Sequence, residues 1–148
     1  MNTLNFKPIY LGQSVIRYQV PLDIFTSINN IYEQNYNSLA PANSQLVGKI
    51  EKEHSLFYNG KDQTKMKNHN FLPKNVTDYF MQVFNHYLTF NSIKDYDTHL
   101  NSIWVNEMKE HEYNPAHVHR GMLFTGLSSV MILKLPSTYG KEYSAEHI

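Results

Sequence analysis

The residues best suited to chemistry in this chain are His117 and His119, one residue apart in "EYNPAHVHRGMLFTG". Neutral imidazole is the commonest protein ligand for zinc, iron, copper and nickel. On a strand, side chains at i and i+2 leave the same face, so both rings would enter one space as a rigid half-site. One or two further ligands must then come from elsewhere. The competing reading is a pair of exposed histidines at a strand edge that bind nothing. His54, His69, His86 and His99 stand alone and read as surface or ordinarily packed side chains. His111 falls in the charged loop "KEHEY".

The neighbouring elements decide whether such a pair can be held in place. "YNPAHVH" brings the chain round a proline-containing turn just before the histidines. "RGMLFTGLSSVMILKLP" then supplies a glycine-containing turn and a predicted strand that Pro136 ends. Upstream, "SIWVNEMKE" alternates and reads as a strand carrying Trp104 and Asn106. The strongest helix is "LPKNVTDYFMQVFNHYLTFN": Pro73 suits its first turn, and Val76, Tyr79, Phe80, Val83, Phe84, Tyr87 and Leu88 form one apolar face. A second helix follows Pro21, with Leu22, Phe25, Ile28, Ile31 and Tyr32 at helical spacing. "SVIRYQVP" alternates as a strand. "SQLVGKIEKEHSL" reads as a short strand built on Leu46, Val47 and Ile50, and Asn59 to Asn70 as a polar loop. The expected fold is α+β, with helices packed on an antiparallel sheet. Residues 1–148 form one expected domain: an α/β part over about 1–100 and β-rich sequence over about 101–148.

These residues together resemble a family. Trp104-x-Asn106 followed by "EYNPAHVHRGMLFTGLSSVMILKLP" is similar to the front half of the iron- and 2-oxoglutarate-dependent oxygenase domain, in its marine bacterial and cyanophage subgroup. That subgroup shows a Trp-x-Asn strand, a Tyr- and Pro-containing approach, His-x-His near a glycine, and a Ser/Gly-rich strand running to a proline. Here that last strand reads "SSVMILKLP", with Ile132 where an aromatic is frequent. "NSQLVGKIEKEHSL" resembles an upstream segment of the phage members. The resemblance spans most of the chain and is most specific from Asn114 to Pro136.

The resemblance implies a partial double-stranded β-helix (a jelly roll, cupin-like) binding Fe(II) and 2-oxoglutarate. It implies metal ligation by His117 and His119, and cofactor contacts from Asn106, Tyr113 and Arg120. Two departures matter. His119 stands where the wider superfamily carries an acidic ligand. The distal histidine and the basic 2-oxoglutarate anchor of the family lie further downstream, where this sequence offers only His147, Lys134 and Lys141. The expectation is therefore an oxygenase of hydroxylase type that lacks the second half of its barrel and is inactive as it stands. Such a piece would cover its exposed sheet edge by forming a homodimer.

Composition narrows the other classes. Formal net charge is zero, with 13 basic and 13 acidic residues, so no electrostatic footprint for nucleic acid is visible. The chain has no cysteine, which excludes disulfides and thiolate metal sites and points to a reducing, cytoplasmic setting. No apolar run reaches the ~20 residues of a membrane span, and the first residues lack a signal-peptide pattern. The expected partner is a small-molecule or protein substrate, with neither nucleic acid nor membrane. Two alternatives stand beside the oxygenase. One is a non-catalytic, phage-type structural or interaction protein with incidental histidines. The other is a cupin-like metal site completed by Glu142 or Glu146.

Overall fold

The computed structural model describes residues 4–11, 13–43, 47–61, 64, 66–117, 126–137 and 139. It divides into two compact units, Met1–Val118 and His119–Ile148.

The first unit has mixed α/β architecture with antiparallel sheets and two helices. It opens with a hairpin of β1 (Phe6–Leu11) and β2 (Gln13–Tyr18), paired from Phe6↔Tyr18 to Leu11↔Gln13. Alternation predicts β2. β1 is hidden in the sequence by Pro8, which a two-stranded ribbon tolerates because each strand is an edge. Pro21 then caps α1 (Leu22–Asn35). Its buried stripe is Ile24, Ile28 and Tyr32, whereas Leu22 is 78% exposed. The apolar face is thus rotated from the predicted one, because i, i+4, i+8 spacing from Ile24 follows the core more closely than the stripe from Leu22.

The predicted long helix, α2 (Lys74–Phe90), starts one residue after Pro73, which is its N-cap rather than part of its first turn, and buries Val76, Tyr79, Val83 and Leu88. A proline at this boundary costs nothing, since the first-turn N–H groups have no intrahelical acceptor. α2 holds the hairpin by polar contacts. Tyr87 donates to the Ser14 carbonyl at 2.8 Å, and the Tyr18 hydroxyl lies 2.7 Å from His86 Nδ1. The His86 ring also meets Phe6 edge-on, so this histidine is a packing residue, as its isolated position suggests.

A four-stranded sheet forms around β4 (Lys52–Tyr58). The strand begins later than the sequence predicts. Leu46 lies outside the described residues, Val47 is exposed, and Ile50 is buried just before the strand. β6 (Ser102–Glu107) runs antiparallel along β4, from Lys52↔Glu107 to Tyr58↔Ser102, with an irregularity between Ser55 and Phe57. Two short strands also pair with β4: β3 (Ala40–Pro41) beside Ser55 and His54, and β5 (His69–Asn70) beside Tyr58 and Phe57. β5 claims the end of the predicted polar loop. Leu56 of β4 and Val76 of α2 are the largest fully buried side chains.

In the second unit, 126–136 carries neither helix nor strand. This corrects the predicted "GLSSVMILKLP" strand. Its β-type composition finds no ladder partner among the described residues, and Val130, Ile132 and Leu135 are exposed. Propensity alone does not make a strand without such a partner. No helix among the described residues is long and apolar enough to cross a membrane.

Candidate functional site

The chain path from β6 to His117 is fixed by backbone contacts. Beyond Glu107, the Glu112 N–H donates to the Lys109 carbonyl at 3.1 Å, and His111 takes a left-handed φ of 64° within this turn. The Glu112 carboxylate clamps it. One oxygen accepts the Lys109 N–H at 2.7 Å, and the other accepts the Glu51 N–H at 2.9 Å, just ahead of β4. Those two backbone donors hold the Glu112 carboxyl below the usual carboxylate range. Lys109 Nζ also reaches Glu51 Oε2 at 2.6 Å.

Next, Tyr113 and Lys49 exchange backbone hydrogen bonds of 2.9 and 3.2 Å. Gly48 makes this approach possible. Its φ is +126°, and a Cβ there would stand 2.7 Å from the Tyr113 carbonyl oxygen. The chain then passes Pro115 to His117, whose Nδ1 lies 2.7 Å from the Pro115 carbonyl oxygen. A carbonyl only accepts, so Nδ1 carries a proton, and in the neutral ring the lone pair would be on Nε2. That tautomer is the one in which an imidazole coordinates through Nε2, with its other nitrogen anchored to the backbone.

The predicted site residues are distributed as follows. His117 is exposed and sits on irregular backbone rather than on a strand. The i, i+2 strand geometry expected for the pair is therefore not the geometry His117 has, because its segment is held by a single bridge at Tyr113. His119 and Arg120 lie outside the described residues. Tyr113 contributes its backbone to the bridge, and the residue stays 57% exposed. Asn106 sits on β6 directly across from Glu53 of β4. The Asn106 Oδ1 and Glu53 Oε1 atoms are both buried without a hydrogen-bond partner among the described residues. Burial, and secondarily the charge of Glu112, raises the Glu53 carboxyl above its ordinary value. No three His, Cys, Asp or Glu side chains come together among the described residues in a way that could hold a metal ion. Of the two predicted metal ligands, His117 is the one among the described residues.

On the other face of the sheet, α1 meets β4 and β6 through a polar cluster that sequence reasoning missed. The Tyr32 hydroxyl donates to Glu107 Oε1 at 2.8 Å and lies 3.0 Å from His54 Nδ1. A phenol has one proton, so His54 Nδ1–H must be the donor to the Tyr32 oxygen. Lys52 donates to the Tyr36 hydroxyl, and the Tyr36 ring meets His54 edge-on at 4.8 Å. Burial, and then the Glu107 hydrogen bond, push the Tyr32 phenol well above its ordinary value. An open depression at the β4–β5 end is lined by Phe57, Tyr58, Asn59, Asn68, His69 and Asn70, and it includes none of the predicted site residues.

Gly48, Glu53 and Glu112 were also missed. A single glycine ahead of a β-type run is a usable sign of close backbone approach. The two glutamates carry no such sign, because their roles come from register and turn geometry. Comparison with protein-family models, curated proteins and solved structures gives no match.

Proposed function

We propose that the chain is an Fe(II)- and 2-oxoglutarate-dependent oxygenase of hydroxylase type, with His117 and His119 as metal ligands. The observation that carries this reading is the His117 ring, anchored through Nδ1 to the Pro115 carbonyl as metal-binding imidazoles commonly are. The β4–β6 pair and the bridge at Tyr113 would be the opening strands of a jelly roll.

Bound Fe(II) and 2-oxoglutarate would supply oxygen activation for hydroxylation of a C–H bond. The residues of this chain have simpler tasks. Pro115 holds the His117 proton on Nδ1, and Gly48 lets the backbone of Tyr113 close against Lys49. Asn106 offers an amide from a buried rung of the sheet, suited to a carboxylate or carbonyl of a cosubstrate. Arg120 would pair with a cosubstrate carboxylate.

Anaerobic titration with Fe(II) should show one bound ion, lost in His117→Ala. Succinate formed from 2-oxoglutarate tests for turnover, and its absence would count against the hydroxylase reading. A second reading, a non-catalytic interaction module that forms a homodimer, draws on the exposed Val130, Ile132 and Leu135. It predicts a melting temperature unmoved by Fe(II), Zn(II) or Ni(II), because a specific native-state ligand stabilises.

A further inference from the structure

Two buried oxygens within the four-stranded sheet lack a donor among the described residues: Glu53 Oε1 and Asn106 Oδ1. They belong to partners on one rung of the β4–β6 ladder. Side chains of such a pair leave the same face with Cβ atoms about 4.5–5.5 Å apart, a span that a carboxyl and an amide can bridge. Glu53 is 4% exposed. Were it ionised, this rung would set a buried charge beside two oxygens that lack a donor among the described residues, which burial makes costly. One proton on the carboxyl removes the charge and supplies the missing donor.

We propose that Glu53 is kept as a neutral carboxylic acid that donates to Asn106 Oδ1, and so acts as the positioning residue for the Asn106 amide. Its surroundings favour this state. On the same face of β4, Ser55 is uncharged, and its hydroxyl lies 2.8 Å from His69 Nε2. The charge that acts on Glu53 is that of Glu112, from the turn after β6, and it disfavours a second carboxylate. Glu51, just before β4, spends its own charge on Lys109. Glu112 is shifted down by its backbone donors and Glu53 upward by burial. Interacting carboxyls pushed apart in this way sort into a charged member and a proton-bearing one. With Oδ1 occupied, the Asn106 Nδ2 hydrogens are what remain for a ligand carboxylate such as that of 2-oxoglutarate; this last step rests on the oxygenase reading.

The test is a carboxyl-carbon NMR titration of the full chain labelled at glutamate, with E53Q and E53L alongside. Glu53 should titrate last among the glutamates and Glu112 below the usual range. E53Q, which keeps a donor for Asn106, should retain the melting temperature, and E53L should lower it. A raised folded value means that the stabilisation is complete below the ordinary Glu range near pH ~4.3. It is lost as pH rises through the folded value. The wild-type melting temperature should fall through that window, and that of E53Q should not. Glu53 titrating with the exposed glutamates would overturn the proposal. So would stabilisation by Mg²⁺, Ca²⁺ or Mn²⁺ that E53Q abolishes, since that assigns the rung to a cation. If the wild type binds no 2-oxoglutarate yet Glu53 titrates high, the oxygenase reading fails and the pair stands.

Discussion

At the scale of single residues, the molecule depends on a few groups whose hydrogen-bond roles are forced by what surrounds them. Tyr32 gives its one proton to Glu107 and accepts from His54, and this order ties α1 to the sheet. Tyr32→Phe removes that hydroxyl and should destabilise the fold by about 1–2 kcal/mol, read from chemical denaturation. Gly48 is constrained by both its φ and its 2.7 Å approach to the Tyr113 carbonyl. Gly48→Ala should therefore destabilise by at least about 1 kcal/mol and disturb the amide resonances of Lys49 and Tyr113 first. Glu112 titrates below the usual range, so its stabilisation is present above the ordinary carboxylate value and is lost as pH falls through the depressed one. Acid titration followed by NMR should show the Lys109 and Glu51 amides shifting together in that window, and Glu112→Gln should remove the shared transition.

At the scale of elements, sequence pattern was informative wherever one element buries one face. α2 followed its apolar stripe from Pro73 onward, and α1 was found with its face turned toward Ile24. β6 was legible because Ile103 and Val105 alternate with Trp104 and Asn106. β4 was misplaced because "KEHS" carries no hydrophobic alternation. Its polar residues are accommodated by specific partners, such as Glu107 opposite Lys52 and His69 beside Ser55, which only the register reveals. The same holds for the site. His117 and Asn106 could be named from residue type, whereas Glu53 and Glu112 needed the pairing of distant segments. Leu56 lies at the irregularity of β4 and is fully buried. Leu56→Ala should cost about 2–5 kcal/mol, measured by denaturant unfolding, and should exceed the effect of any exposed substitution on β1.

At the scale of the whole molecule, the first unit is an α/β body whose sheet has two polar faces with different tasks. One face binds α1 through Tyr32, His54 and Glu107, and the other holds the Glu53–Asn106 rung on the strand that leads to His117. In the proposed oxygenase, His117, anchored through Pro115, would coordinate Fe(II). Anaerobic calorimetric titration of wild type and His117→Ala with Fe(II), with and without 2-oxoglutarate, tests it most directly. The account predicts one ion per wild-type chain, tighter with 2-oxoglutarate present, and no binding by the variant. Equal affinity in both proteins, or none in the wild type, would contradict it.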